Sequence, residues 1–315
     1  MDSLIYSLNA TVPVFLVIVV GYILKRIGIL NESFVKSANK FNFKVTLPVL
    51  LFVDLSTTDI IGDFDLEYVL FCAIVTTVVF FALWLGARTW LKDKSLTGEF
   101  VQACYRSSAA ILGVAFIQNI YGDSGMAPVM IIGCVPLFNI FAVLALTFES
   151  EKTTDGKEHI KKSVVNIIKN PIIIAIALGV VASLVKFDLP EFADKTLSSF
   201  AKMASPLALV TIGAGFEGRK AIAKIKPTLI ASVVKLVILP VVFLPLAVKL
   251  GFRDQALIAL LVMLGSPTTP SSYIMAKNMR HEGVLTSSVI VVTTLLSSVT
   301  LTVWIFIMRI FGFIM

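Results

Sequence analysis

The chain has 315 residues, 57% of them hydrophobic and only 15% charged, with a mean hydropathy of +0.93. A soluble domain of this length cannot hide that much apolar surface, because every folded chain leaves a large share of itself exposed, whereas lipid solvates apolar faces directly. The net charge of +7 does not mark a nucleic-acid binder, since the cations sit in short loops between apolar runs, with no basic stripe interleaved with aromatics.

Apolar runs of about 20 residues, the length a hydrocarbon core requires, fall at approximately 4–24, 35–55, 67–91, 99–120, 126–148, 164–185, 196–216, 227–249, 255–276 and 284–308. The first follows Met1-Asp2-Ser3, which lacks the positive region of a signal peptide, and is too long to be one. The second carries Lys36, Lys40 and Lys44 on one helical face, so its first turns are expected at the interface. The fourth reads Arg106-Ser107-Ser108-Ala109-Ala110-Ile111-Leu112-Gly113, small and hydroxylated but without proline. The fifth holds Asn139, and the seventh ends in Gly213-Ala214-Gly215-Phe216-Glu217-Gly218. That spells G-x-G-x-x-G, but it closes an apolar run instead of following a strand, which argues helix packing and not a dinucleotide site. The ninth contains Leu264-Gly265-Ser266-Pro267-Thr268-Thr269-Pro270-Ser271-Ser272. Its two prolines each remove a backbone donor and clash with the preceding turn.

The loops give an orientation. Those at 25–34, 92–98, 149–163, 217–226 and 277–283 hold 14 Lys and Arg together, while the alternate loops and the tail hold 4. Cations favour the cytoplasmic side, so both termini are expected outside a plasma-membrane protein with an even number of spans. The 149–163 segment, with Glu149, Glu151, Lys152, Asp155, Lys157 and Glu158, reads as a cytoplasmic linker with no site chemistry.

A shift of 158 residues brings the two halves into register. Pro13 meets Pro171, Gly21 meets Gly179, Lys44 meets Lys202, Pro48 meets Pro206, and Gly125 meets Gly283. Five spans per half is odd, so the second copy enters the membrane from the opposite side. The expectation is an all-α membrane protein built as a 5+5 inverted repeat, with 1–148 and 164–315 as the two halves. Pro13, Pro48, Pro171, Pro206 and Gly113 are the helix-shaping positions.

A break at the depth of Pro267 and Pro270 is tolerated where backbone lines a cavity or finds hydroxyl partners, and Ser266, Thr268, Thr269 and Ser271 stand beside it. A proline kink healed by those hydroxyls is the plainer alternative. Ionisable residues inside spans are costly, and the deep ones are cationic: Lys44, Arg106, Lys202 and Lys235. Such an interior suits an anion, with Arg106 able to hold a carboxylate through two parallel hydrogen bonds or to snorkel to the interface. The expected binding set is Arg106, Ser107, Ser108, Ala109, Asn139, Ser266, Pro267, Thr268, Thr269, Pro270 and Ser271. Cys72, Cys104 and Cys134 lie in apolar runs without C-x-x-C spacing and read as packing residues, while His159 and His281 lie in polar loops without partner ligands. No catalytic constellation, metal site or cofactor motif is expected.

Several segments in order resemble the auxin efflux carrier family, which includes plant auxin carriers of the PIN type and bacterial malate or malonate permease-like proteins. They are Leu47-Pro48-Val49-Leu50-Leu51-Phe52, Lys169-Asn170-Pro171, Ser205-Pro206-Leu207-Ala208-Leu209 with Gly213, Lys235-Leu236-Val237-Ile238-Leu239-Pro240, and the Pro267/Pro270 segment. The resemblance implies spans four and nine crossing at broken points to form a substrate site. It also implies a scaffold from spans 1, 2, 6 and 7, a moving domain from spans 3–5 and 8–10, elevator-like motion, and a homodimer through the scaffold. The family's fourth span carries an Asn and then Gly-x-Pro, where this chain has Ser108 and then Gly113-Val114-Ala115. The functional expectation is a carrier of small organic anions such as dicarboxylates, with a sodium-coupled symporter of the bile-acid type or a non-transporting membrane sensor as alternatives.

Overall fold

A computed structural model describes residues 2–57, 65–109, 117, 121, 125–150 and 164–314, with side chains from residue 12 onward. The described residues are helical, with no strand among them. In chain order they form α1 (Asp2–Arg26), α2 (Glu32–Phe41), α3 (Leu47–Ser56), α4 (Leu66–Trp90), α5 (Thr97–Tyr105), α6 (Ala127–Phe148) and α7 (Pro171–Leu184). There follow α8 (Glu191–Ala214), α9 (Gly218–Ala223), α10 (Ile225–Val233), α11 (Leu239–Lys249), α12 (Asp254–Gly265), α13 (Ser271–Asn278) and α14 (Val284–Ile310).

Among the described residues, five helical stretches are long and apolar enough to cross a membrane: Leu66–Trp90, Ala127–Phe148, Glu191–Ala214, Ile225–Lys249 and Val284–Ile310. Pro171–Leu184 and Asp254–Gly265 are shorter apolar helices. The ninth expected span is therefore two helices and a gap.

Local sequence explains the boundaries. Asn31 is the N-cap of α2 and accepts from the Phe34 amide at 2.7 Å. Asp65 caps α4 through the Tyr68 amide at 3.0 Å. Asn170 caps α7 through the Ile172 amide at 2.9 Å, with Pro171 in the first turn, where its missing N–H costs nothing. Pro48 and Pro240 each follow a five-residue π-helical turn, Asn42–Thr46 and Val234–Ile238. A proline clashes with the carbonyl four residues back, and one wider turn relieves the clash without ending the helix. Pro13 and Pro206 lie inside α1 and α8, and Gly113 lies outside the described residues.

Packing crosses between the halves. Helix α1 lies against α8, and α3 lies against α7. Small residues permit the approach: Gly213 stands on the Ile18 carbonyl and within 2.8 Å of the Tyr22 amide, measured from an added Cβ. At the centre, every residue of α5 and every residue of α12 from Leu257 to Gly265 is buried. Helices covered on all sides belong to the interior of a helical bundle, with the longer helices left to face lipid.

Candidate functional site

The two buried half-helices end facing each other. Helix α5 stops at Tyr105, where Arg106 turns extended (φ −73°, ψ 132°), and α12 stops at Gly265, where Ser266 does the same (φ −77°, ψ 165°). The extended segments are tied together, since the Ser108 amide donates to the Pro267 carbonyl at 3.0 Å. The Thr268 hydroxyl donates to the Ala103 carbonyl at 2.7 Å, and the Thr268 amide donates to Thr293 Oγ1 at 3.1 Å. Backbone groups freed at the breaks thus find protein partners, across the halves for Ser108, Pro267 and Ala103 and within the second half for Thr268.

Helix α4 onward, the chain brings most of the expected set to one cavity. Arg106, Ser107, Ser108, Ala109, Asn139, Thr269 and Ser271 line it, whereas Ser266, Pro267, Thr268 and Pro270 do not. The cavity offers about 60 Å³ to the centres of water molecules, against roughly 10–15 Å³ needed for one. It has room for several waters or for a small anion that displaces them.

Arg106 is 2% exposed, and neutral groups hold its guanidinium. Nη2 donates to Asn139 Oδ1 at 2.8 Å and to Ser271 Oγ at 2.9 Å, and Nη1 donates to Met275 Sδ at 2.8 Å. Asn139 is itself oriented by donating to the Val135 carbonyl at 2.9 Å. Arg106 Nε and the Ser107 hydroxyl are buried without a protein partner. Among the described residues, the hydrogen bonds from Arg106 go to neutral groups, and the carboxylate that shares the cavity lining is that of Asp54.

Three of the expected deep cations do not belong to this cavity. Lys44 and Lys202 are exposed. A helical span presents every side to something, and depth along the sequence does not say which side a lysine takes. Lys235 is fully buried, but its ammonium donates to the carbonyls of Leu264, Met263 and Tyr105 at 2.9, 3.2 and 3.4 Å, away from the cavity lining. Arg106 alone of the four lines the cavity.

Other residues carry roles the sequence did not assign. Asp54, at the end of α3, lines the same cavity with Leu47, Leu50 and Leu51. Glu99 is 1% exposed and caps α14, accepting from the Gly283 amide at 2.8 Å and from the Thr286 amide and hydroxyl at 3.0 Å each. The signal was present in one dimension, because a carboxylate at the start of an apolar span is costly unless partnered. Glu149, expected in an inert linker, instead accepts from Trp84 Nε1 and Arg88 Nε, each at 2.6 Å. His281 has a ring nitrogen within 2.8 Å of the Leu146 carbonyl, and His159 lies outside the described residues. All three cysteines are buried and free. Among the described residues no group of three metal-ligating side chains occurs.

The sequence profile described as Membrane transport protein matches residues 6–305. An uncharacterized transporter of Methanothermobacter thermautotrophicus is 25% identical over 300 residues, spanning 95% of this chain and 97% of its own length. An uncharacterized transporter of Methanocaldococcus jannaschii is 22% identical over 307 residues, spanning 94% and 97%. A Rhizobium meliloti protein named "Putative malonate transporter" is 25% identical over 305 residues, spanning 94% of each.

Proposed function

The chain belongs to the membrane transport protein family, the family of the auxin efflux carriers, and from that premise we propose that it carries small organic anions, dicarboxylates above all. The site is the cavity where spans four and nine meet, and it reaches both sides by elevator-type alternating access. The observation that carries the reading is Arg106: a buried guanidinium, oriented by Asn139 and Ser271, with Nε unpartnered at a cavity of small-molecule size. A carboxylate entering there gains charge-assisted hydrogen bonds that water supplies less well. Ser107, Ser108, Thr269 and Ser271 supply further polar contacts. The cavity suits a short dicarboxylate, and the Rhizobium meliloti relative carries malonate in its name.

The reciprocal packing of α1 on α8 and α3 on α7 supports the inverted repeat, because a two-fold axis in the membrane plane exchanges those pairs. On this reading spans 1, 2, 6 and 7 form the scaffold and the dimer contact, the remaining spans carry the site, and both termini lie outside the cell membrane. Purified protein tests the binding step. Malonate, malate and an aromatic carboxylate are screened by thermal shift, since a ligand bound only by the folded state raises its melting point. At least one should stabilise the wild type and leave Arg106→Ala unmoved. A panel without any stabiliser removes the anion reading.

A further inference from the structure

A helix leaves its last carbonyls without intrahelical partners, and its C-terminus carries about half a negative charge. Here two C-termini, those of α5 and α12, point at one place in the interior, and together they present about one elementary negative charge. The Thr268 hydroxyl takes only the Ala103 carbonyl, and Arg106, the C-cap of α5, gives its hydrogen bonds to Asn139, Ser271 and Met275 instead of to the terminal carbonyls. The balance comes from Lys235, set on the π-helical turn before Pro240, whose ammonium donates its three protons to Leu264, Met263 and Tyr105 carbonyls at 2.9, 3.2 and 3.4 Å. The donor count and the acceptor count are equal. Three backbone carbonyls converging from two broken helices make the oxygen cage that a free monovalent cation takes, and the side chain fills it with nothing left over.

We propose that these carbonyls form a monovalent-cation site occupied by a tethered ammonium, so that Lys235 holds the two half-helices together and the protein needs no free sodium or potassium at the crossing. Removing the side chain while leaving the carbonyls exposes a site for a small cation. The class of ligand is sodium, potassium or an alkylammonium ion small enough to replace the lost amine. The inference is independent of which solute the neighbouring cavity takes, because its readout is stability and not transport.

Full-length wild type, Lys235→Ala and Lys235→Met are purified in N-methyl-D-glucamine chloride, whose cation is too bulky for the cage. Their melting is then followed as sodium, potassium or methylammonium chloride replaces it at constant ionic strength. Wild type should be indifferent to the cation. Lys235→Ala should melt several degrees lower in the bulky cation and recover at least half of that loss in one of the small ones, dose-dependently. Lys235→Met refills the volume without the charge, so it should melt lower than wild type and recover little. If Lys235→Ala cannot be isolated in the bulky cation, extraction in a small one should return a monodisperse peak. The proposal is overturned if Lys235→Ala melts like wild type in the bulky cation, if all salts act alike, or if Lys235→Met is as stable as wild type. Recovery in no cation overturns it too.

Discussion

Gly21 lies against the backbone of Val210 so closely that a Cβ added to the glycine would overlap the Val210 carbonyl oxygen. The same relationship recurs 158 positions along the chain: a Cβ on Gly179 would lie 3.1 Å from the Phe52 carbonyl oxygen and 2.9 Å from Leu55 Cβ. Gly21 and Gly179 are one 158-residue step apart, and so are Phe52 and Val210. Span 1 on span 7 and span 6 on span 2 are thus the same contact made twice, each by a glycine with no room for a side chain.

Substitution at either glycine should separate those helices. Gly21→Leu and Gly179→Leu are each expected to cost about 1–3 kcal/mol, the range of overpacked cores, read as a lower melting temperature in detergent. Gly86→Leu is the control, since nothing lies within 4 Å of its added Cβ. Equal melting of all three variants would contradict the close approach.

Glu99 should matter for stability in proportion to its hydrogen bonds. Glu99→Ala leaves the Gly283 and Thr286 amides without their acceptor at a buried helix start. The expected loss is about 2 kcal/mol, from a cap and a charged acceptor together. Glu99→Gln keeps one acceptor oxygen and should lose less. Thermal melts of the two variants against wild type decide it.

A modest acid sensitivity should trace to Glu282. A hydrogen bond from Lys224 holds its carboxyl below the usual carboxylate range. A depressed carboxyl contributes stability that is present above its unfolded pKa and is lost as pH falls through the folded value. Glu282 is largely exposed, so the contribution is expected under about 1 kcal/mol. Lys224→Ala should flatten the melting curve's slope between roughly pH 5 and 3, the range around an ordinary glutamate, with little change at pH 7.

Pro267→Leu should impair transport without preventing insertion. Leucine restores a backbone N–H and removes the ring clash, so the segment between α12 and α13 can close toward a continuous helix. That would remove the Pro267 carbonyl from the Ser108 amide. Carboxylate uptake by proteoliposomes should fall at least several-fold at unchanged protein incorporation, and unchanged uptake would count against the interrupted helix as a working part.

How much of this was legible beforehand varied by residue. Five of the long apolar spans were, because hydropathy is a sum over neighbours in sequence, and the ninth-span break was, because Pro267 and Pro270 act on their own turns. The fourth-span break was not secured by any local residue. No proline marks Arg106 to Ser108, and the turn is held from outside by the Pro267 carbonyl, the Thr268 hydroxyl and the Lys235 ammonium. Arg106 and Asn139 stand out in the sequence because a buried polar group in a span demands a partner, and the structure pairs them at the cavity. Lys235 was expected deep and is buried, whereas Lys44 and Lys202 are exposed, since the cost of burial says that a lysine needs something and not which face of the bundle provides it. Asp54 was passed over because it lies near the end of its span, yet α3 carries that end to the cavity.

The most direct test is counterflow. Proteoliposomes loaded with unlabelled malonate are diluted into trace labelled malonate, with wild type and Arg106→Ala reconstituted at equal density. The account predicts a transient accumulation of label by wild type that unlabelled malate or malonate outside suppresses, and a loss of at least tenfold in Arg106→Ala. Counterflow undiminished in Arg106→Ala would contradict the site, and counterflow with no carboxylate in the panel would contradict the carrier itself.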